Sequence, residues 1–364
     1  MELLADKIIE WDIGTAYDFF ISLRALHEPE LLGLRGAWAA GVRSRLPVQE
    51  RELLQRVTAL VWPLPWVYKL PAPKDVSTAL DTLRSLPSED RLMALVPNVA
   101  EPIEAVWRDV ARRGFWEEKD QKMLATEMAK GRWKNQPTAT IRKEAASFLE
   151  LWSDPDATAE TLLSAYESYY EVFFIEEEAR IRPALEAGLA QAKELVEKHE
   201  RWETLLEDLS QGVRVAKDWE HKKLILAPSY WGTPLAIMAE FEPDNLLFMF
   251  GARPENESLI PGDVVPDALY QGLKALADPT RLRILRYLSE EAQTPAELAR
   301  KLRLRSPTVI HHLDALRLAR LVIVTLVAEG KRYTIRPDAV RSACDLLHQF
   351  LEGGGDQGST NITD

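Results

Sequence analysis

From about Gly14 to Ser210, apolar residues recur at three-to-four spacing, the period of a helix that buries one stripe. Ala16-Tyr17-Phe19-Phe20-Leu23-Leu26, Leu53-Leu54-Val57-Leu60 and Val76-Leu80-Leu83-Leu86 each carry this pattern. Prolines at positions 63, 65, 71, 73, 87, 97 and 102 cut the first half into short helices, because proline has no N–H to donate inside a helix. Thr161 to Ala179 carries Leu162, Leu163, Tyr166, Tyr169, Tyr170, Phe173 and Phe174, which predicts one well-buried helix. Pro183 should break or kink it before a further helix from Ala184 to Lys198.

The period changes after Glu220. Leu224-Ile225-Leu226-Ala227, Leu235-Ala236-Ile237-Met238 and Leu246-Leu247-Phe248-Met249-Phe250 are short apolar runs bounded by Pro, Gly, Asp and Asn. They predict three strands of a short antiparallel sheet. Arg253-Pro254-Glu255-Asn256-Glu257-Ser258 and Pro261-Gly262 read as a polar link. The end, Gly353-Gly354-Gly355-Asp356-Gln357-Gly358-Ser359, has nothing to bury and reads as a flexible tail.

Between link and tail, three helices announce their starts alike. Asp278-Pro279, Thr294-Pro295 and Ser306-Pro307 each place a capping side chain before a proline suited to the first helical position. Thr294-Pro295-Ala296-Glu297 is also a capping box, with Glu297 able to reach back to the cap. Helices follow at about 279–289, 295–302 and 307–318. The last two are separated by Arg303-Leu304-Arg305-Ser306, the length of a helix-turn-helix turn. On the second, Val309, Leu313 and Leu316 share one face, while Thr308, His311 and Ala315 point the other way and His312 lies on the flank. Small and hydrogen-bonding side chains on such a face can enter a major groove and read base edges. Ser306 and the free N–H groups of the helix start can hold a phosphate, and Arg300, Lys301, Arg303 and Arg305 add positive charge. Leu321 to Val327 and Arg332 to Ile335 flank a turn with glycine, a hairpin whose tip carries Lys331 and Arg332 as a wing against the DNA backbone would. A final helix, Pro337 to Leu351, repeats apolar groups at Val340, Ala343, Leu347 and Phe350, a stripe that a second subunit would cover.

Ala275-Leu276-Ala277-Asp278-Pro279-Thr280-Arg281-Leu282-Arg283-Ile284-Leu285 and Ser306-Pro307-Thr308-Val309-Ile310-His311-His312-Leu313 resemble the ArsR-type (arsenical-repressor-like) winged-helix regulators over about 85 residues. The resemblance implies a dimeric DNA-binding regulator, usually a repressor, paired through its first and last helices. It also implies that Thr308, His311 and His312 read DNA. Ile310 departs from the family's usual small polar residue, and Arg303 stands where glycine often makes the turn. Metal-sensing members carry cysteines in the first helix of the motif, or carboxylate and His ligands on the last. Thr294 to Leu302 has no cysteine, and Asp345 with His348 supplies two ligands, too few for a metal site.

Charge sharpens this picture. The chain of 364 residues carries −12 overall, yet residues 266–351 hold 14 Lys and Arg against 9 Asp and Glu, whereas residues 1–265 hold 31 against 45. A polyanion is repelled by most of the chain and accepted by one part of it. All eleven tryptophans lie between Trp11 and Trp231, a distribution that core packing and a ligand pocket explain equally well. Glu176-Glu177-Glu178 reads as a helix shedding charge toward solvent, and His221-Lys222-Lys223 as an exposed strand start. His27, His199 and His221 are isolated, no P-loop or Gly-rich dinucleotide fingerprint is present, and the one cysteine, Cys344, reads as a small apolar filler. No cofactor, metal site or catalytic constellation is expected. No apolar run reaches membrane length and the start does not read as a secretory signal, so a cytoplasmic location is expected.

The expected fold is mainly α with small β elements. Its domains are a helical N-terminal one at 1–215 for dimerisation or ligand sensing, a small β-sheet segment at 216–257 and a linker at 258–265. A winged helix-turn-helix at 266–351 and a disordered tail at 352–364 follow. The expected function is a homodimeric, non-enzymatic transcriptional regulator acting as a repressor. It would read a pseudo-palindromic site of double-stranded DNA through helix 307–318 and wing 328–332, using Arg303, Arg305, Ser306, Thr308, His311, His312, Lys331 and Arg332. A small-molecule effector is a further expected partner, and a membrane is not.

Overall fold

The computed structural model describes residues 4, 7–96, 101–130, 133, 136–215, 223–242, 244–328 and 330–352. His221, Lys222, Glu329 and the tail from residue 353, singled out above, lie outside the described residues. The chain forms two compact units, Asp12–Arg182 with Ala239–Pro243, and Met1–Trp11 with Pro183–Met238 and Asp244–Asp364.

The first unit is helical. Thr15–His27 is buried on almost every side, its polar Thr15, Asp18 and Ser22 included, and the Thr15 and Ser22 hydroxyls donate to Glu178 and to the Phe19 carbonyl. Phe19 meets the rings of Tyr166, Tyr169 and Phe174 at centroid distances of 5.9, 5.3 and 5.3 Å. Of the expected punctuating prolines, Pro63 and Pro87 each take a helix cap position, and Pro47 and Pro137 do the same for two further helices. Pro183 does not end its helix, which runs Ile175–Val196 after a π-helical turn at Tyr170–Phe174. The Glu176-Glu177-Glu178 expectation needs correcting. Glu176 is exposed, but Glu177 and Glu178 are buried. Glu178 accepts hydrogen bonds from the Thr15 hydroxyl, from Val76 N–H at 3.2 Å and from Tyr170 OH at 2.8 Å, and Glu177 pairs with Arg180. Charge enters this interior because donors meet it there.

The second unit holds β1 (Ile8–Trp11), β3 (Lys223–Ser229), β5 (Asn245–Gly251) and the start of β4 (Ile237–Phe241), strands of one sheet in the order β1-β3-β5-β4; β2 (Val213–Val215) belongs elsewhere. Two of the expected runs fall wholly on β3 and β5, whereas Leu235 and Ala236 precede β4, which starts at Ile237, and the sheet is not the short antiparallel one expected. β1 and β5 both run parallel to β3. The apolar runs are unbroken because β3 and β5 are buried on both faces, the property of parallel strands. Helix Trp202–Ser210 lays Trp202, Leu205, Leu206 and Leu209 over Leu224, Leu226, Leu246 and Phe248.

The chain then builds helices Asp267–Leu276, Pro279–Glu290, Pro295–Leu302 and Ser306–Leu318, a hairpin of β6 (Val322–Val327) and β7 (Gly330–Ile335), and helix Ala339–Glu352. The hairpin is not freestanding. β2 adds to it in parallel, pairing Val213 with Val324 and Val215 with Leu326. Leu326 packs against both apolar clusters of the unit, the one under helix Trp202–Ser210 and the one of the helix-turn-helix. The polar link is pinned as well. Leu259 is fully buried, its N–H donates to Asp267 at 2.7 Å, and Arg253 holds the same carboxylate at 3.0 Å.

Two measurements follow from this packing. Leu326→Ala removes apolar contact from both clusters, and a half-buried leucine there is expected to cost about 1–2 kcal/mol. The loss should shift the urea midpoint read by tryptophan fluorescence, although no tryptophan lies beyond Trp231; an unmoved tryptophan transition would show that the clusters unfold independently. In the helical unit, burial and the charge of Arg43 push His27 down to about 4. The unfolded chain therefore binds a proton between about pH 6.5 and 4 that the folded chain refuses, so stability is full above 6.5 and declines below it. His27→Gln should flatten that decline, measured as unfolding free energy from pH 7 to 5.

Candidate nucleic-acid interface

Local chemistry sets the helix-turn-helix. Helix Pro295–Leu302 starts on Thr294, whose hydroxyl accepts from Glu297 N–H while Glu297 accepts from Thr294 N–H at 2.7 Å, the expected capping box. It stops at Arg303, which adopts φ 57° and ψ 42°. Leu304 N–H returns to Ala299 carbonyl at 3.0 Å, closing the turn. Glycine reaches this left-handed backbone freely, whereas a side chain costs about 1 kcal/mol.

The next helix starts one residue earlier than expected, at Ser306, with Arg305 in the cap position and no side-chain cap bond. The reason is that Val309 N–H donates to Arg305 carbonyl, so Arg305 accepts the first helical bond and Ser306 is already helical. Ser306 therefore does not act as the cap. Pro307 sits in the first turn, and the helix starts with N–H groups that no helical carbonyl satisfies. Val309, Leu313 and Leu316 are fully buried against Ile284, Leu285, Leu298 and Leu302. The opposite side is open. Arg303, Arg305, Ser306, Thr308 and His311 are all exposed, and they form one continuous outward surface from the turn along the helix.

Three of the remaining residues lie in different surroundings. His312 is half-buried, with Nδ1 enclosed and without a hydrogen-bond partner. Burial holds its pKa below the ordinary histidine value, opposed by the nearby Asp278 carboxylate. Asp278 caps helix Pro279–Glu290, accepting from Thr280 and Arg281 N–H at 2.8 and 3.0 Å, and these bonds with the Arg281 charge hold it below the usual carboxylate range. His312 thus faces the supporting helix. Arg332 donates to Ala292 carbonyl at 3.0 Å and stands 3.5 Å from Glu297, tying β7 to the helix-turn-helix. Lys331 is exposed beside Arg317 and Asp314, near the end of the outward helix. Lys331 and Arg332 lie on β7 itself, just after the tip, because Val327 pairs with Gly330. Arg317, not among the residues expected from the sequence, stands near Lys331 and is held by Asp314 at 3.4 Å, a pair at a spacing of three that was the available signal. Among the described residues, no group of three or more His, Cys, Asp or Glu is placed to hold a metal ion, and no helix is long and apolar enough to cross a membrane.

Comparison with known proteins falls on this same region. Residues 278–324 match the family described as bacterial regulatory protein, arsR family. The span runs from the Asp278 cap into β6 and includes the whole outward helix. The HTH-type transcriptional regulators CmtR of Mycobacterium bovis and Mycobacterium tuberculosis are 42% identical over 78 residues, which is 21% of this chain and 66% of theirs. The chain thus spans just under two thirds of the length of these curated relatives.

The Arg303 backbone yields a direct test. Arg303→Gly should stabilise the fold by up to about 0.5 kcal/mol, the relief of left-handed strain less the extra freedom of unfolded glycine. Chemical denaturation measures this, and a destabilised variant would mean that the Arg303 side chain holds the turn.

Proposed function

We propose that the arsR-family helix-turn-helix domain at residues 278–324 makes this protein a sequence-specific, DNA-binding transcriptional regulator. The observation that carries the reading is the outward surface of Arg303, Arg305, Ser306, Thr308 and His311, held open by the buried Val309, Leu313 and Leu316 behind it. Arg303, Arg305 and the helix start meet phosphate, while Thr308 and His311 reach base edges in the major groove. His312 orients the helix from its inner flank and touches DNA only at the margin. Lys331 lies along the backbone, and Arg332 positions the wing that brings it there.

The acting form is a homodimer and the outcome repression, as the resemblance to the ArsR-type regulators implies. Helices Asp267–Leu276 and Ala339–Glu352 pack together, with Gly272 against Ala343, and leave Tyr270, Leu273 and Val340 more than two-fifths exposed. A second copy would cover these side chains and place two outward helices about 34 Å apart on a pseudo-palindromic duplex. The protein acts in the cytoplasm without catalysis, cofactor or metal. The acidic helical region limits non-specific association with DNA and is where a small-molecule effector would act.

Selection from random duplexes with the full chain, followed by a salt titration, tests the reading. Two chains per selected duplex are expected in sedimentation. Arg305→Ala should weaken binding across all sequences and reduce the salt slope by about one per protomer. His311→Ala should cost about 1–3 kcal/mol and relax preference at one position per half-site. Unchanged affinity in both variants would remove the assignment of this face.

A further inference from the structure

On the outward helix one residue fits neither the core nor a polar reading surface. Ile310 is 43% exposed, although it is a large aliphatic residue in the middle of the helix. It lies outside the apolar cluster that takes Val309, Leu313 and Leu316, and it is not among the partly buried side chains packed against that cluster. An exposed β-branched residue weakens a helix slightly relative to alanine, so local stability does not favour it there. Its helical neighbours on the open side are Pro307 and Asp314, one turn to either end, and both are exposed. Around the helix, Ile310 stands on the flank toward Arg317 and the wing, opposite Thr308, with His311 between them.

Resting on the DNA-binding reading above, we infer that Ile310 contacts the 5-methyl group of a thymine and sets the base preference at that position. The major groove presents one apolar group, and it is that methyl. A β-branched side chain in a helix has one strongly preferred χ1, so its methyl groups are held ready with little entropy left to lose. Against cytosine, the same side chain would cover an N4 donor and offer it no acceptor, which disfavours the pair. Thr308 and His311 can exchange hydrogen bonds with base edges, whereas Ile310 reads shape and apolarity alone.

The test removes one methyl group at a time. Each thymine of a duplex selected by the full-length protein is replaced by deoxyuridine, and affinity is measured for the wild type, Ile310→Ser and Ile310→Val. In the wild type, one thymine per half-site should respond, with about fourfold weaker binding for the lost methyl. Ile310→Ser should bind the thymine and deoxyuridine duplexes equally, and Ile310→Val should keep part of the difference. The position is exposed, so thermal melting should show all three proteins folded alike. A selected duplex in which no methyl matters, or in which Ile310→Ser keeps the wild-type difference, would overturn the role of Ile310 while leaving DNA binding in place. Failure to select any duplex would overturn both.

Discussion

Three side chains behind Ser306–Leu318 determine what its front can do. Val309, Leu313 and Leu316 are fully buried, each contributing about 2 kcal/mol of burial, and together they set the rotation of the helix about its axis. Turning it by one residue would bring Ile310, Asp314 and Arg317 to the core in their place. Two of these are charged, and an ion forced into this cluster would cost several kcal/mol or lose its charge. The outward order of Arg305, Ser306, Thr308 and His311 is therefore a consequence of packing, with no contribution needed from a ligand.

The wing is constrained in a different way. β6 lies between β7 and β2, and β2 leads directly from helix Trp202–Ser210, which covers the parallel sheet. Arg320, at the entry to β6, reaches Gln211 at 2.9 Å and Glu255 at 2.6 Å. Arg253 holds Asp267 from the other end of the same segment. A shift of helix Trp202–Ser210 relative to the sheet thus has a hydrogen-bonded route to the wing, and Leu326 gives it a packed one. A helix-turn-helix on a loose tether would have neither.

What could be read from the chain depended on how local the cause was. Asp278, Thr294 and Pro295 act within one turn, and the helices they start lie where their chemistry puts them. The alternation of buried and open positions along 306–318 was legible for the same reason. Strand direction was not, because β1 and β5 meet β3 from more than 200 and about 20 residues away, and an apolar run does not state its partner. β2 is three residues long, Val213-Arg214-Val215, too short to signal a strand without β6 beside it. Glu178 looked solvated because its donors, Thr15 and Val76, are 163 and 102 positions away. Arg332 and His312 carried the right chemistry for DNA, but the carbonyl of Ala292 and the end of helix Pro279–Glu290 claim part of each.

That last point changes how the basic charge of the terminal region is to be counted. Fourteen cations against nine anions suggests a broadly positive surface, yet much of it is committed internally. Arg281 donates to the carbonyls of Ala275 and Lys274, and Lys301 meets Glu291 at 2.9 Å. Arg317 meets Asp314, Arg320 meets Glu255, and Arg332 serves Ala292. A cation already bonded gains less from a phosphate, because it must first give up or share its partner. The charges that remain exposed at the turn, Arg303 and Arg305, sit next to the uncapped helix start, and Lys331 faces the same side of the helix from the wing. On the proposed DNA-binding reading, phosphate contacts would be concentrated at the turn and at the wing, at the two ends of helix Ser306–Leu318. Such an arrangement would hold register on a duplex with few contacts and would leave discrimination to Thr308, Ile310 and His311.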